Sequence, residues 1–273
     1  MSLSAPALRA RKRRRGEAPI VMVTAYDEPG ARYVDAAGVD VILVGDSLAN
    51  VVLGHADTLH VTMADMVHHV AAVAAARPAA HVVADMPWLS YHLGDFEAVR
   101  NAAALIRAGA QSVKLEGGRN RLEVIGALLD AEIPVMGHLG LTPQSVLAFG
   151  GFKVQSKTRE ATSMLIEEAV LLQEAGVYAI VVEGVPAGVG TMVTEALEIP
   201  TIGIGAGADT DGQVLVLHDL LGLSARAPAK FVRQYADLGT VITDAVSRYR
   251  DDVRSGAFPS ESESYPNPAG LLD

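Results

Sequence analysis

The chain has 273 residues, half of them apolar, with 22 basic and 32 acidic residues and a formal net charge of −10. That length suits one large α/β barrel or two modest domains, and the acidic balance speaks against binding nucleic acid through a general electrostatic field. Cysteine is absent, which excludes disulfides and thiol catalysis, and the longest uncharged stretch, residues 133–152, carries His138, Pro143 and Gln144, which speaks against a membrane span.

The N-terminus is basic, with Arg9, Arg11, Lys12, Arg13, Arg14 and Arg15. A secretory signal would need an apolar segment and a small-residue cleavage site after the cluster, and neither follows. An organelle transit peptide is one reading. The favoured one is the end of a short solvated first helix, with the cytoplasm as the expected compartment. Residues 1–17 are then an N-terminal extension, 18–254 a catalytic barrel, and 255–273, rich in Ser, Glu, Pro and Gly, a mobile tail.

Residues 20–26 read as strand one, and 27–37 as a helix ended by Gly38. Val41–Val44, four consecutive apolar residues, read as a strand buried on both faces. Gly45 stops it, and Asp46 and Ser47 stand at its exit. The long connection from Leu48 to His60 exceeds the usual loop length and is expected to be a functional lid. Thr62 caps a helix to Ala76, with Asp65 completing a capping box. Strand three is His81–Asp85, and an alanine-rich helix runs from Asp95 to Arg107. Strand four, Ser112–Glu116, is followed by a helix over 121–130, and strand five is Pro134–Leu139. A glycine-rich loop from Phe149 to Phe152 precedes a helix from Glu160 to Ala175. Strand six is Ala179–Glu183, a short helix covers Gly190–Leu197, and strands seven and eight are Thr201–Gly205 and Gln213–Leu217. The last helix is expected from about Ala229 to Tyr249.

Eight strands alternating with helices imply a parallel sheet, and eight such units in about 250 residues is the size of a (βα)8 TIM barrel. The rival is a doubly wound open sheet. It would place a Gly-x-Gly-x-x-Gly turn after strand one, and none is there. Gly203, Gly205 and Gly207 instead follow strand seven. They read either as a phosphate cradle or as room for a neighbouring side chain.

In a parallel barrel, ligands sit beyond the carboxyl ends of the strands. Asp46, Asp85, Glu116 and Glu183 each stand at such an end, so all four converge on one mouth. Strand side chains alternate, so Lys114 shares the interior face with Glu116. His138 faces the same cavity by the same parity, either as a site residue or as a satisfied core histidine. A buried lysine is costly without partners, and the chain has only five lysines. Carboxylates without cysteine or an HExxH motif favour a hard, oxygen-liganded cation such as Mg²⁺. A carboxylate left free of the metal fits proton removal beside a carbonyl, hence enolisation.

Thr24-Ala25-Tyr26-Asp27, Val44-Gly45-Asp46-Ser47, Val113-Lys114-Leu115-Glu116-Gly117-Gly118, Gly137-His138-Leu139-Gly140-Leu141-Thr142-Pro143-Gln144 and Gly203-Ile204-Gly205-Ala206-Gly207 resemble the ketopantoate hydroxymethyltransferase family, and the resemblance runs from about Leu8 to Pro259. It implies transfer of a one-carbon unit from 5,10-methylenetetrahydrofolate to 3-methyl-2-oxobutanoate, giving 2-dehydropantoate in pantothenate synthesis. It also implies that Asp46 and Asp85 hold Mg²⁺ with Glu116 close by, directly or through water. Asp46, Ser47, Asp85 and Lys114 match positions that contact the oxo acid, His138 a residue lining the pocket, and Glu183 the catalytic base. A homo-oligomer is implied, commonly a decamer. Gly184 departs from the pattern, where a larger residue is expected after the base, and the tail around Ser260 to Tyr265 is atypically acidic. The rivals are a related Mg²⁺-dependent lyase or mutase barrel acting on 2-oxo acids, which usually carries a lid cysteine that this chain lacks, and a non-catalytic barrel scaffold.

Overall fold

Eight parallel strands close on themselves in sequence order, β1 to β8, with β8 pairing back onto β1. The computed structural model describes residues 3–12, 18–151, 153–224 and 227–267. Arg13, Arg14 and Arg15 of the basic cluster, Phe152 of the glycine-rich loop and residues 268–273 of the tail lie outside the described residues. The expected (βα)8 barrel is the observed fold. In chain order the elements are α1 (Ala5–Arg9), β1 (Ile20–Thr24), α2 (Glu28–Ala36), β2 (Val41–Val44), α3 (Leu48–Val51), α4 (Met63–Ala75), β3 (His81–Asp85) and α5 (Asp95–Ala108). They continue with β4 (Ser112–Glu116), α6 (Leu122–Asp130), β5 (Val135–Gly140), α7 (Val146–Phe149), α8 (Arg159–Ala175), β6 (Ala179–Glu183) and α9 (Ala187–Glu195). Last come β7 (Thr201–Ile204), β8 (Gly212–Leu215), α10 (Leu217–Leu220) and α11 (Leu238–Ser255). The chain divides into two units, Met1–Leu217 with Ala229–Val232, and His218–Pro228 with Arg233–Asp273.

The apolar strand runs are buried on both faces because each strand packs twice. One parity packs outward against the helices, as with Ile42, Val44, Val82, Ala84, Val113, Leu115, Ile180 and Val182. The other fills the barrel, as with Met22, Leu43, Val83, Met136, Val181, Ile202 and Val214. Local caps mark the helix starts. Thr62 and Asp65 form the expected capping box on α4, and Gly109 and Gly176 end α5 and α8 in the left-handed conformation, which glycine adopts without a Cβ penalty.

Four local expectations are corrected. The Leu48–His60 connection is not one long loop: α3 and a 3-10 turn at Thr58–His60 occupy it, and Thr58 is buried. The short helix before β7 begins at Ala187 rather than Gly190. The last helix starts at Leu238, not Ala229, because Asp237 caps it by accepting the Thr240 N–H. The first helix is solvated on one face only, with Pro6 and Arg9 exposed. Ala5 and Leu8 are buried, Arg9 Nη1 donates to the Val177 carbonyl at 2.8 Å, and Lys12 Nζ pairs with Asp211 at 2.9 Å. This segment covers the amino-terminal end of the barrel, where His81, Ser112 and Tyr178 form a buried hydrogen-bonded chain, with His81 Nδ1 2.8 Å from the Leu3 carbonyl oxygen.

Candidate active site

Strand register assembles the site. Asp85 on β3 is the register partner of Lys114 on β4, and Glu116 on β4 is the partner of His138 on β5. Neighbours in register with interior parity must share the cavity, and a closed barrel brings Glu183 of β6 round to meet them. Asp46 and Ser47 reach it from the turn after β2. All seven sequence-selected residues, Asp46, Ser47, Asp85, Lys114, Glu116, His138 and Glu183, line one cavity of about 200 Å³ at the carboxyl ends of the strands.

The contacts form a single chain. The Asp46 backbone N–H donates to Asp85 Oδ2 at 3.0 Å. Asp85 Oδ1 lies 2.6 Å from Lys114 Nζ, and Lys114 Nζ lies 3.4 Å from His138 Nδ1. His138 sits between two carboxylates, with Nδ1 3.3 Å from Glu116 Oε1 and Nε2 3.2 Å from Glu183 Oε2. Tyr26 OH and Ser47 Oγ are 2.8 Å apart. The side chains of Asp85, Lys114, Glu116 and His138 are at most 5% exposed, whereas that of Glu183 is 16% exposed, so Glu183 is the carboxylate most open to an incoming molecule.

Four carboxylates face two basic side chains here. Burial, and then repulsion from Asp85 and Glu116, raises the Asp46 carboxyl well above the usual range. Burial also raises Asp85, against the opposing pull of Lys114. Burial alone would push Lys114 down, but Asp85, Glu116 and Asp46 together hold it above an ordinary lysine. Burial and Lys114 likewise oppose charge on His138, yet its contacts to Glu116 and Glu183 raise it to about 9. The acidic end around Asp46 and Asp85 remains short of positive charge. That is the environment in which a hard divalent cation is favoured. Among the described residues no group of three or more His, Cys, Asp or Glu side chains stands in ligand geometry. A cation held by one or two carboxylates, with water or a chelating ligand completing its sphere, fits this donor set.

Sequence reasoning missed several neighbours. Gln144 was visible only as part of a motif, because an uncharged amide has no signal of its own. Tyr91, in the loop after β3, donates its O–H to Gln144 Oε1 at 2.6 Å. Phe231 lines the cavity and answers the question posed by the glycines after β7. A Cβ on Gly205, at φ +61°, would lie 2.7 Å from the Phe231 ring, and one on Gly203 would lie 2.6 Å from Thr210 Oγ1. These glycines make room for neighbouring side chains. Gly184, where a larger residue is expected, is tied on both sides of its peptide. Its N–H donates to the Ile204 carbonyl and its carbonyl accepts the Gln155 N–H, both at 2.9 Å, and its φ of +59° suits glycine.

Residues 3–261 match the model of a family described as ketopantoate hydroxymethyltransferase. A 3-methyl-2-oxobutanoate hydroxymethyltransferase of Koribacter versatilis is 56% identical over 248 residues, covering 90% of this chain and 84% of that protein. One of Pyrobaculum calidifontis is 54% identical over 252 residues, covering 92% and 95%. Among solved structures, a 2,3-dimethylmalate lyase of the PEP mutase/isocitrate lyase superfamily superposes with a TM-score of 0.61 at 18% identity, covering 97% of this chain and 93% of that one. A phosphonopyruvate hydrolase gives 0.62 at 13%, covering 98% and 92%. The structural likenesses concern the fold.

Proposed function

The chain belongs to the ketopantoate hydroxymethyltransferase family, and from that premise we propose that its cavity converts 3-methyl-2-oxobutanoate to 2-dehydropantoate with 5,10-methylenetetrahydrofolate as one-carbon donor and Mg²⁺ as cofactor. The protein is an enzyme, a hydroxymethyltransferase. The observation that carries the mechanistic reading is the division of the cavity into two ends, Asp46 and Asp85 with Lys114 at one and Glu183 beyond His138 at the other.

Asp46 and Asp85 would hold Mg²⁺, with Glu116 beside them acting directly or through water. When bound, the cation supplies Lewis-acid stabilisation of negative charge on the substrate oxygens. Lys114, protonated and buried, adds a second positive charge for a carboxylate or enolate oxygen. Ser47, held by Tyr26, and His138 complete the polar contacts to the oxo acid. Glu183 takes the proton from the branched carbon, and the electron pair released becomes the enolate. That carbon then forms the new carbon–carbon bond to the one-carbon unit while the unit's two carbon–nitrogen bonds to the folate break; water supplies the hydroxyl group, and tetrahydrofolate leaves with its two nitrogens carrying the proton taken from the branched carbon and the second proton of that water. His138 Nε2 lies 3.2 Å from Glu183, beside the carboxylate that moves the proton.

We assign the protein to the cytoplasm. None of the described helices is long and apolar enough to cross a membrane. We also propose a homo-oligomer, a decamer as the family resemblance implies, and retain the division into an extension (1–17), a barrel (18–254) and a tail (255–273). Ile242, Val246, Tyr249 and Val253 follow helical spacing along one stripe of α11 and are 46–60% exposed, a surface suited to a second copy. Sedimentation velocity tests the assembly. The test of the chemistry is Mg²⁺-dependent loss of the substrate's α-proton NMR signal in D₂O without folate. Exchange that needs the enzyme and Mg²⁺ is the expected result. No exchange above the buffer rate would overturn folate-independent enolisation at this site.

A further inference from the structure

Gln144 takes no part in the chemistry proposed above, yet every polar atom of its buried side chain is used. Its Nε2 donates to Asp46 Oδ2 at 2.8 Å and to the Met86 carbonyl at 3.0 Å. Its Oε1 accepts from Tyr91 OH at 2.6 Å, and its backbone N–H donates to Glu116 Oε2 at 3.0 Å. Tyr91 is itself tied down, accepting the Glu116 N–H at 3.2 Å beneath the Arg121 guanidinium, 5.4 Å from the ring centroid. A carbonyl on one side and a carboxylate on the other require the NH₂ group there, and the phenol requires the oxygen. The amide therefore has one satisfactory orientation.

We propose that Gln144 is a positioning residue that orients the Asp46 and Glu116 carboxylates, so that the acidic end of the cavity is a preformed seat for a divalent cation. Two carboxylates on separate segments repel each other and would turn apart if left to themselves. One residue holds both, the first through its side chain and the second through its backbone. Because Asp46 Oδ2 is occupied by the amide, Oδ1, which takes no hydrogen bond from the described residues, is the atom available to a cation. This inference rests on the metal reading of the same cavity. Outer-shell partners of this kind typically contribute 10–100-fold to metal affinity.

The test uses Mn²⁺ as a spectroscopic probe, with free ion counted by electron paramagnetic resonance against the full chain, and thermal unfolding in chelator alongside. Gln144→Met keeps the length and removes the donors and acceptor. It is expected to weaken Mn²⁺ binding by about 10–100-fold. Tyr91→Phe, which frees the amide to turn, is expected to weaken it in the same direction by a smaller factor. If Gln144→Met fails to fold, Tyr91→Phe decides the question. A variant that melts earlier but binds Mn²⁺ within twofold of the parent has lost only a structural contact, and that result overturns the proposal. If the parent binds Mn²⁺, Asp46→Ala abolishes binding and Gln144→Met leaves it intact, the positioning role falls while the metal site stands. A parent that binds no Mn²⁺ overturns the metal reading and this inference with it.

Discussion

Replacing Lys114 with methionine removes the charge at the centre of the site and leaves most of the side-chain volume. Lys114 Nζ lies 2.6 Å from Asp85 Oδ1, and both side chains are at most 5% exposed. At that distance and an effective dielectric of about 20, Coulomb's law gives an attraction of roughly 6 kcal/mol. Part of it offsets the desolvation of the two groups. Deleting one partner of such a pair costs about 3–5 kcal/mol, because the other is left buried and unpaired. For a chain of this size that corresponds to a fall in Tm of roughly 6–20 °C. The pH dependence carries the diagnosis. Without Lys114, the folded-state pKa of Asp85, already raised by burial, rises further above its unfolded value. The folded variant then takes up a proton more readily than the unfolded chain, so its stability grows as pH falls. The penalty should be largest near pH 8 and shrink towards pH 5. Denaturant unfolding of both proteins in chelator, across that range, measures it. A penalty below about 1 kcal/mol, or one that does not change with pH, would refute the ion-pair reasoning.

Asp46→Ala and Asp85→Ala should each abolish Mg²⁺-dependent binding of the oxo acid with the fold intact, and unchanged metal titration by calorimetry in both would remove the metal assignment. Glu183→Gln should keep metal and oxo-acid affinity but lose at least about a hundredfold in deuterium exchange at the branched carbon; near-normal exchange with failed transfer would move Glu183 to the folate half of the reaction. At the other end of the barrel, burial holds the His81 ring below its ordinary pKa. Its contribution is therefore present above the unfolded value of about 6.5 and lost as pH falls below it. His81→Gln should flatten the acid limb of the stability curve, and an unchanged limb would exclude His81 as its source. Gly205→Ala should destabilise the chain by roughly 1–2 kcal/mol through its left-handed backbone alone, with more from the Phe231 contact; an unchanged Tm would show that the turn relaxes freely.

Much of the site was legible because strand geometry is local. Apolar runs ending in a carboxylate identify strand exits, and period-two alternation assigns Lys114, Glu116 and His138 to one face without any knowledge of the rest of the chain. What lies between elements followed no such rule. The start of α11 depended on which polar residue capped it, and the glycines after β7 were ambiguous until Phe231 was seen to fill the space above Gly205. The basic N-terminus read as solvated because nothing in its own sequence reveals that Asp211, 199 residues away, waits for Lys12. Likewise, Asp46 and Gln144 are 98 positions apart, and a neutral amide has no periodicity or charge to announce its role. The residues themselves determined which side chains point into a barrel. Closure of the eight strands decided which of them meet, because only a closed sheet places β2, β4 and β6 around one cavity and puts their charges close enough to shift one another.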